Sequence, residues 1–525
     1  MRDQAEVIAF LMSPDSYPGG VKDIARMDTH CATVFLAGEY AYKLKRAVKL
    51  PYLDFSTVEL RRKFCERELE INRVTAPQLY LRVTPVIRDA GGRLAIGGDG
   101  EAVDWLLVMK RFDNGALLDR LAAAGGLDAR LMARLARVIW QFHARGTIVR
   151  DAHWVESLGR IIGDLGNTLC NPDAVATGLD FRRCLEAMRQ HLQASTGLLA
   201  ARQSAGFVRR CHGDLHLNNI VLIDGEPTLF DAIEFDEEFA TIDVLYDLAF
   251  LVMDLWHRDM RAEANTILNH YFQRDVPAEE WRGLALLPLF LALRAGIRAM
   301  VSMHKLLLHG KDTERKATIA GMHSYARLAG EVLKAQTPQL VAIGGLSGTG
   351  KTTLAQMIAP HIGAPPGAIH LRSDVERKLM HGVEMVHRLP PEVYTPESRD
   401  VVYQRVLARA ECVLRAGHPV VVDAVFLDAH SRASVRELAA RTGAGFRAFW
   451  LEAEALQMMA RVTHRRGDAS DADPHVVAMQ LHTATDPNDW QRISTRGELH
   501  QVADEVMAVL ANGTVPDRRA VPGAV

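Results

Sequence analysis

Six cysteines occur in 525 residues, and none forms a C-x-x-C pair or shows metal-ligand spacing. Cys31, Cys65, Cys170, Cys184, Cys211 and Cys412 therefore read as reduced thiols of a cytoplasmic protein, and a disulfide scaffold or zinc ribbon is excluded. Long hydrophobic runs are also missing. No stretch of 18 apolar residues occurs, so no membrane span is expected. The N-terminal MRDQAEVIAFLMSPDSYPGG is too short in its apolar part, and too acidic beside it, for a signal peptide. Neither sign of charge is in excess. With 62 Lys and Arg against 64 Asp and Glu, the net charge of −2 gives no bulk attraction to DNA or to an anionic membrane. Internal repeats are absent too. What remains is an ordinary globular composition, 48% hydrophobic and 24% charged, in a chain too long for one core.

The patterning divides this length. TVFLAGEYAYKLKRAVKL (33–50) alternates around Gly38-Glu39 as a hairpin does. VELRRKFCERELEINRV (58–74) is helical and dense in charge. Strands return over 80–112, with a Gly-Gly turn at 91–92 and the apolar DWLLVMKRF. From Gly115 to about Gly330 the chain reads mostly helical, interrupted by a hairpin within 211–236. After Gln336-Thr337-Pro338, the strands LVAIGG, AIHLRSD, PVVVDAVF and GFRAFWLE alternate with helical segments, which implies a parallel sheet. The expected organisation is a two-lobed α+β domain over 1–336 (strand-rich lobe to about 112, helical lobe over 113–336), an α/β domain over 337–511, and a disordered tail over 512–525.

Two stretches carry chemistry. In CHGDLHLNNIVLIDGEPTLFDAIEFD (211–236), His212-Gly213-Asp214 is followed by Asn219, two apolar runs around Asp224-Gly225, and Asp231. The spacing matches the kinase pattern H-R-D-L-x-x-x-N, with Gly for Arg; Asp231 stands where the D-F-G aspartate would, with Ala232 and Ile233 replacing its Phe and Gly. Turns favour Asp and Asn in any case. Here a carboxylate at a loop tip can accept a hydroxyl proton, while Asn219 and Asp231 can hold Mg²⁺ against phosphates. Asp243 and Asp247 follow at helical spacing. A lysine for the nucleotide phosphates is expected from AYKLK: Lys43, with Lys45 on the same strand face. Its glutamate partner is expected to be Glu68, ahead of Glu66. A G-x-G-x-x-G loop is absent, and Asp28-Thr-His-Cys-Ala-Thr occupies its place. The second stretch, GLSGTGKT (345–352), matches G-x-x-x-x-G-K-[ST] between a strand and a helix. Gly345, Gly348 and Gly350 let backbone N–H groups cradle phosphates, Lys351 meets the β/γ-phosphates and Thr352 can hold Mg²⁺. Asp423 ends PVVVDA in a Walker-B-like position and is a further metal candidate.

HGDLHLNN…FDAIEFDE…IDVLYDLA resembles the aminoglycoside phosphotransferase family of kinase-like enzymes. The resemblance implies that Asp214 is the catalytic base and that Asn219 and Asp231 are metal ligands. Ser373-Asp374, Arg432 and RVTHRRGDASDADPHVVAMQ resemble the P-loop kinases of the zeta-toxin, gluconate-kinase and polynucleotide-kinase type. That implies Asp374 as the base facing an acceptor hydroxyl, and a lid carrying Arg461 with Arg465 or Arg466. Nearly the whole chain resembles the bacterial family of bifunctional aminoglycoside phosphotransferase/ATP-binding proteins, with TVFLAGEYAYKLKRAVKLPYLDFSTVELRRKFCERELEINR distinctive for it. The expectation is a tandem phosphotransferase using ATP and Mg²⁺ on a small-molecule hydroxyl or an RNA or nucleotide 5′-hydroxyl. The alternative is one catalytic module regulated by a nucleotide-binding ATPase module.

Overall fold

Alternating apolar residues over 32–45 fold into the expected hairpin. The computed structural model describes residues 4–29, 31–50, 53–308, 312–487 and 489–512. From residue 513 on, the tail expected to be disordered lies outside the described residues. Contacts group the chain into two units, Met1–Arg160 with Leu199–Asp254, and Ile161–Leu198 with Leu255–Val525.

The first unit is built on strands β1 (Ile24–Asp28), β2 (Ala32–Ala37), β3 (Tyr40–Lys45), a short ribbon of β4 (Lys49–Leu50) and β5 (Leu53–Asp54), then β6 (Tyr80–Arg88), β7 (Leu94–Ile96) and β8 (Glu101–Lys110). Six of them form an antiparallel sheet in the order β1-β2-β3-β8-β6-β7. The period of two sorts β3 by face. Tyr42 and Leu44 join Phe35, Leu106 and Val108 in one core, while Ala41 joins Leu107, Tyr80 and Cys65 on the other face, where the helix Val58–Asn72 packs. Lys43 and Lys45 share that helix-facing side. Thr57 starts the helix by accepting the Leu60 N–H. In the place of a glycine-rich loop, β1 and β2 form a hairpin in which the Thr33 hydroxyl donates to Asp28 at 2.8 Å. The helical part of the unit holds β9 (Val208–Arg210), the hairpin β10 (Ile220–Ile223) and β11 (Glu226–Leu229), and β12 (Thr241–Asp243), which pairs with β9. Asp224 and Gly225 both have positive φ at the hairpin's two-residue turn, as the right-handed twist of the flanking strands favours. The N-terminal region has the α+β, protein-kinase-like fold.

The second unit holds β13 (Gln339–Gly345), β14 (Ile369–Arg372), β15 (Val420–Asp423), β16 (Gly445–Glu452) and β17 (Gln491–Ser494). They form a parallel sheet in the order β14-β15-β13-β16-β17. Val341, Ile343, Val421, Phe449 and Ile493 pack with Leu354 and Ile358 of the helix Lys351–Ile358 and Val506 of the helix Leu499–Asn512. This is the P-loop α/β fold. β14 is an edge strand, and its backbone is met by side chains of the helix Arg261–Phe272. Asn269 accepts the His370 N–H at 2.7 Å and donates to Ala368 O; Asn265 donates to Pro366 O and Ala368 O. Carboxamides thus close an edge that would otherwise invite another strand. In the same unit, the helical run Ala278–Leu306 is long and apolar enough to cross a membrane by composition, with a mean hydropathy of 1.8. Arg294 and Arg298 interrupt it, and most of it is buried inside the protein as a core helix usually is.

Candidate functional site

The first constellation lies in the first unit. The Lys43 ammonium donates to Glu68 Oε1 at 2.7 Å and to Asp231 Oδ1 at 2.6 Å. The sequence assignment of lysine and glutamate is therefore realised as an ion pair, whereas Glu66 pairs with Arg62 on the outside of its helix. Burial opposes the Lys43 ammonium, but the Asp231 and Glu68 carboxylates outweigh it and hold it well above the ordinary lysine range. Burial also opposes the Glu68 carboxylate, and the two lysines beside it hold it down to about 2. Asp231 adopts a φ of +61°, a strained value for a side-chain-bearing residue. Two groups impose it. The Asp231 N–H donates to the Tyr80 hydroxyl at 3.0 Å, and the Ala232 N–H to the Asn72 carboxamide at 2.8 Å.

The loop carrying Asp214 is equally fixed. Asn219 donates to both the backbone carbonyl and the Oδ2 of Asp214, each at 2.9 Å. His216 Nε2 lies 3.3 Å from the same Oδ2. Beneath them, buried Asp247 accepts the His212 and Gly213 N–H groups at 3.0 and 2.9 Å, and His143 Nε2 at 3.1 Å. Asp254 accepts the Leu217 N–H. His212 is buried, and burial lowers its affinity for a proton; its Nε2–H donates to Phe230 O. Glycine replaces the arginine of the kinase pattern for a local reason. Gly213 has a φ of +83°, and a Cβ there would meet Ile233 at 2.9 Å. Asp243 has a different task, a buried bidentate pair with Arg202.

The second constellation gathers at the carboxyl ends of β13, β14 and β15, where register sets Ile343 and Arg372 beside Asp423. Thr352 donates its hydroxyl to Asp423 Oδ2 at 2.6 Å. Lys351 donates to Leu346 O at 3.0 Å across its own loop. Burial holds Lys351 below its ordinary value in spite of Asp423 and Asp374. Asp423 is held down to about 2: burial works against it, and His370, Lys351 and Arg372 prevail. Gly345, Gly348 and Gly350 all have positive φ, and at Gly348 a Cβ would fall 2.6 Å from Met458 O. Asp374 is half-buried in the first turn of the helix Ser373–Met380, close enough to act electrostatically on Lys351 and Arg372.

The expected lid arginines separate. Arg465 is near enough to act electrostatically on both Lys351 and Asp468. Arg461 instead bonds Gly348 O and Thr495 O, each at 3.2 Å, and so braces the loop's backbone. Arg466 is exposed and bonds the carbonyls of Thr463 and Arg465. Arg432 is buried against Phe426 O and Thr485. Residues that sequence reasoning missed include Glu234, Tyr80 and Asn72 in the first site, and His370, Gln480 and Asp468 in the second. Gln480 accepts the Ser347 N–H, and Asp468 accepts from Arg372. Glu234, Asn72, His370, Gln480 and Asp468 all lie in stretches whose motif or periodicity the sequence shows, but nothing in their spacing marks the partners they meet.

Oxygen donors fit magnesium at both places: the carboxylates of Asp231 and Asp214 with the Asn219 carboxamide, and the Asp423 carboxylate with the Thr352 hydroxyl.

Comparison with known proteins agrees in part and by region. Residues 340–487 match the model of an AAA domain family. A choline/ethanolamine kinase family protein from Mesorhizobium loti is 16% identical, covering 62% of this chain and 94% of its own, with a TM-score of 0.39. A gluconokinase from Sinorhizobium meliloti is 23% identical, covering 34% of this chain and 93% of its own, with a TM-score of 0.26. The uncharacterized proteins Rv2004c of Mycobacterium tuberculosis and Mb2027c of Mycobacterium bovis are each 30% identical over 485 residues, 90% of this chain and 92% of theirs. The chain belongs to the family these mycobacterial proteins represent, the bifunctional aminoglycoside phosphotransferase/ATP-binding proteins.

Proposed function

We propose that the chain is a cytoplasmic, ATP-dependent tandem phosphotransferase, each module moving the γ-phosphoryl group of ATP to a hydroxyl of a small-molecule acceptor. One observation carries the reading: Lys43 reaches Glu68 and Asp231 together, in the unit where Asn219 holds Asp214. A lysine so placed meets nucleotide phosphates, and Asp214 is exposed enough for an acceptor to approach. In the transfer, Asp214 takes the acceptor's hydroxyl proton, the acceptor oxygen bonds to the γ-phosphorus, and the bond from that phosphorus to the bridging oxygen of ADP breaks. Bound Mg²⁺ supplies charge neutralisation at the phosphates, and Asn219 with Asp231 would hold it. In the second module Lys351 and the loop N–H groups take the phosphates, Thr352 and Asp423 would hold the metal, Asp374 takes the proton and Arg465 faces the transferring group. All six cysteines are free, which supports a reducing compartment.

The test is acceptor-dependent ATP consumption by the full chain and by its Asp214→Asn and Lys351→Ala variants. The panel holds sugars, aminoglycosides, amino alcohols, nucleosides and 5′-hydroxyl RNA. Phosphorylated acceptors that disappear in one variant each support two transferases. ATP loss without any phosphorylated acceptor contradicts the proposal.

A further inference from the structure

The chemistry above uses one lysine of β3, yet the strand aims two into the same place. Lys45 is 2% exposed, and its ammonium donates to Glu68 Oε2 at 2.6 Å and to Glu234 Oε1. Glu68 is therefore divided, one oxygen to each lysine. Glu234 lies three residues after Asp231, on a stretch outside any helix or strand. The ion pairs run Asp231–Lys43–Glu68–Lys45–Glu234, and the short peptide from 231 to 234 closes them into a ring.

The ring has a mechanical consequence. One lysine on one oxygen leaves a carboxylate free to turn about its last torsion, which is a soft one. A second ammonium on the other oxygen fixes the plane of Glu68, and so the point from which Lys43 is aimed. The segment 231–234 is held at its start by Tyr80 and Asn72, and at its end by the Ile233 N–H on His212 O and by Glu234 on Lys45. Asp231 keeps its left-handed backbone between those two anchors. Lys45 is buried with both of its carboxylates, so it is not offered to a nucleotide as Lys43 is, at 16% exposure.

We propose that Lys45 and Glu234 are positioning residues that set Asp231 and Lys43 for metal–nucleotide binding. The proposal rests on the reading of Asp231 as a metal ligand, and the experiment separates the two. The full chain carrying Lys351→Ala, which silences the second site, is titrated with Mn²⁺·ATP by calorimetry and with metal-free ATP in chelator. Glu234→Gln keeps an acceptor for Lys45 while removing its charge, and Lys45→Met removes the other partner. Either change should weaken Mn²⁺·ATP at least about five-fold, and metal-free ATP, which feels only the aim of Lys43, distinctly less. The double variant should be little worse than the worse single one, because the residues act as a unit. If Glu234→Gln binds Mn²⁺·ATP as the parent does while Asp231→Asn does not, the positioning role is refuted and the metal reading stands. Undiminished Mn²⁺·ATP binding by Asp231→Asn refutes the metal reading and the proposal with it. Equal weakening with and without metal, accompanied by a lowered unfolding temperature, makes the pair merely structural and also overturns the proposal.

Discussion

Asp214 accepts from Asn219 and faces His216, and none of these contacts needs the nucleotide. Asp214→Asn should therefore lower phosphoryl transfer by the first module about 10²–10⁴-fold, the range of a lost general base, and leave ATP affinity within about two-fold. Single-turnover transfer and equilibrium ATP binding on the same samples check this. Lys351 sits among Leu346 O, Asp374 and Asp423 with burial disfavouring its charge, so phosphate is its natural partner. Lys351→Ala should weaken ATP at the second site by tenfold or more, about 1.4 kcal/mol, without unfolding the chain. Calorimetry that finds both sites intact would refute the assignment. His418 offers a pH test. Burial holds its folded value at about 4, below the ordinary 6.5, with its ring on Gly367 O at 2.9 Å. The unfolded chain thus binds the extra proton between pH 6.5 and 4, so stability contributed by neutral His418 falls as pH drops through that window. His418→Gln should flatten this part of the unfolding profile. Asp214, Asn219, Lys43, Glu68 and the P-loop residues were legible in the sequence because each sits in a short motif. Glu234, Tyr80 and Asn72 were not, since their roles arise from partners more than 70 residues away or on another element.

At the scale of elements, the edge of the parallel sheet is the sensitive feature. Asn269 satisfies a backbone donor and an acceptor on either side of Ile369, and Asn265 shares that acceptor, Ala368 O, and adds Pro366 O. Asn269→Ala strands the His370 N–H, while Ala368 O keeps Asn265; an unsatisfied buried donor costs about 1–3 kcal/mol. Thermal unfolding should show it, whereas alanine at exposed Arg261, at the start of the same helix, should change little. The same contacts bear on dissection. A fragment starting at residue 337 leaves β14 with an open edge and should aggregate, by light scattering, more than the full chain. The strands β13 to β16 were legible from apolar runs and alternation with helices. β17 was not: QRIS is short with three of its four residues polar, and it becomes a strand only by pairing with β16. Nor could periodicity reveal that the helix Arg261–Phe272 closes a sheet edge, because the signal is two polar residues four apart, which ordinarily marks a solvated face.

For the whole molecule, the proposed function comes to two phosphotransferase sites in one chain, each with its own proton acceptor. Each set of side chains is complete within its own unit: Lys43, Glu68, Asp214, Asn219 and Asp231 in the first, Lys351, Thr352, Asp374 and Asp423 in the second. The proposed function makes Asp214 and Asp374 bases for acceptor hydroxyls, for which a module that only binds or hydrolyses ATP has no use. Asp374→Ala should accordingly keep ATP binding and lose acceptor-dependent turnover, with low hydrolysis in the absence of acceptor throughout. The most direct measurement is acceptor-dependent ATP consumption, with mass spectrometry of the acceptors, for the full chain, Asp214→Asn, Asp374→Ala and the double variant. The expected result is two phosphorylated products, one lost with each single variant and both lost in the double. Rapid acceptor-independent hydrolysis that survives in the double variant would contradict the tandem transferase.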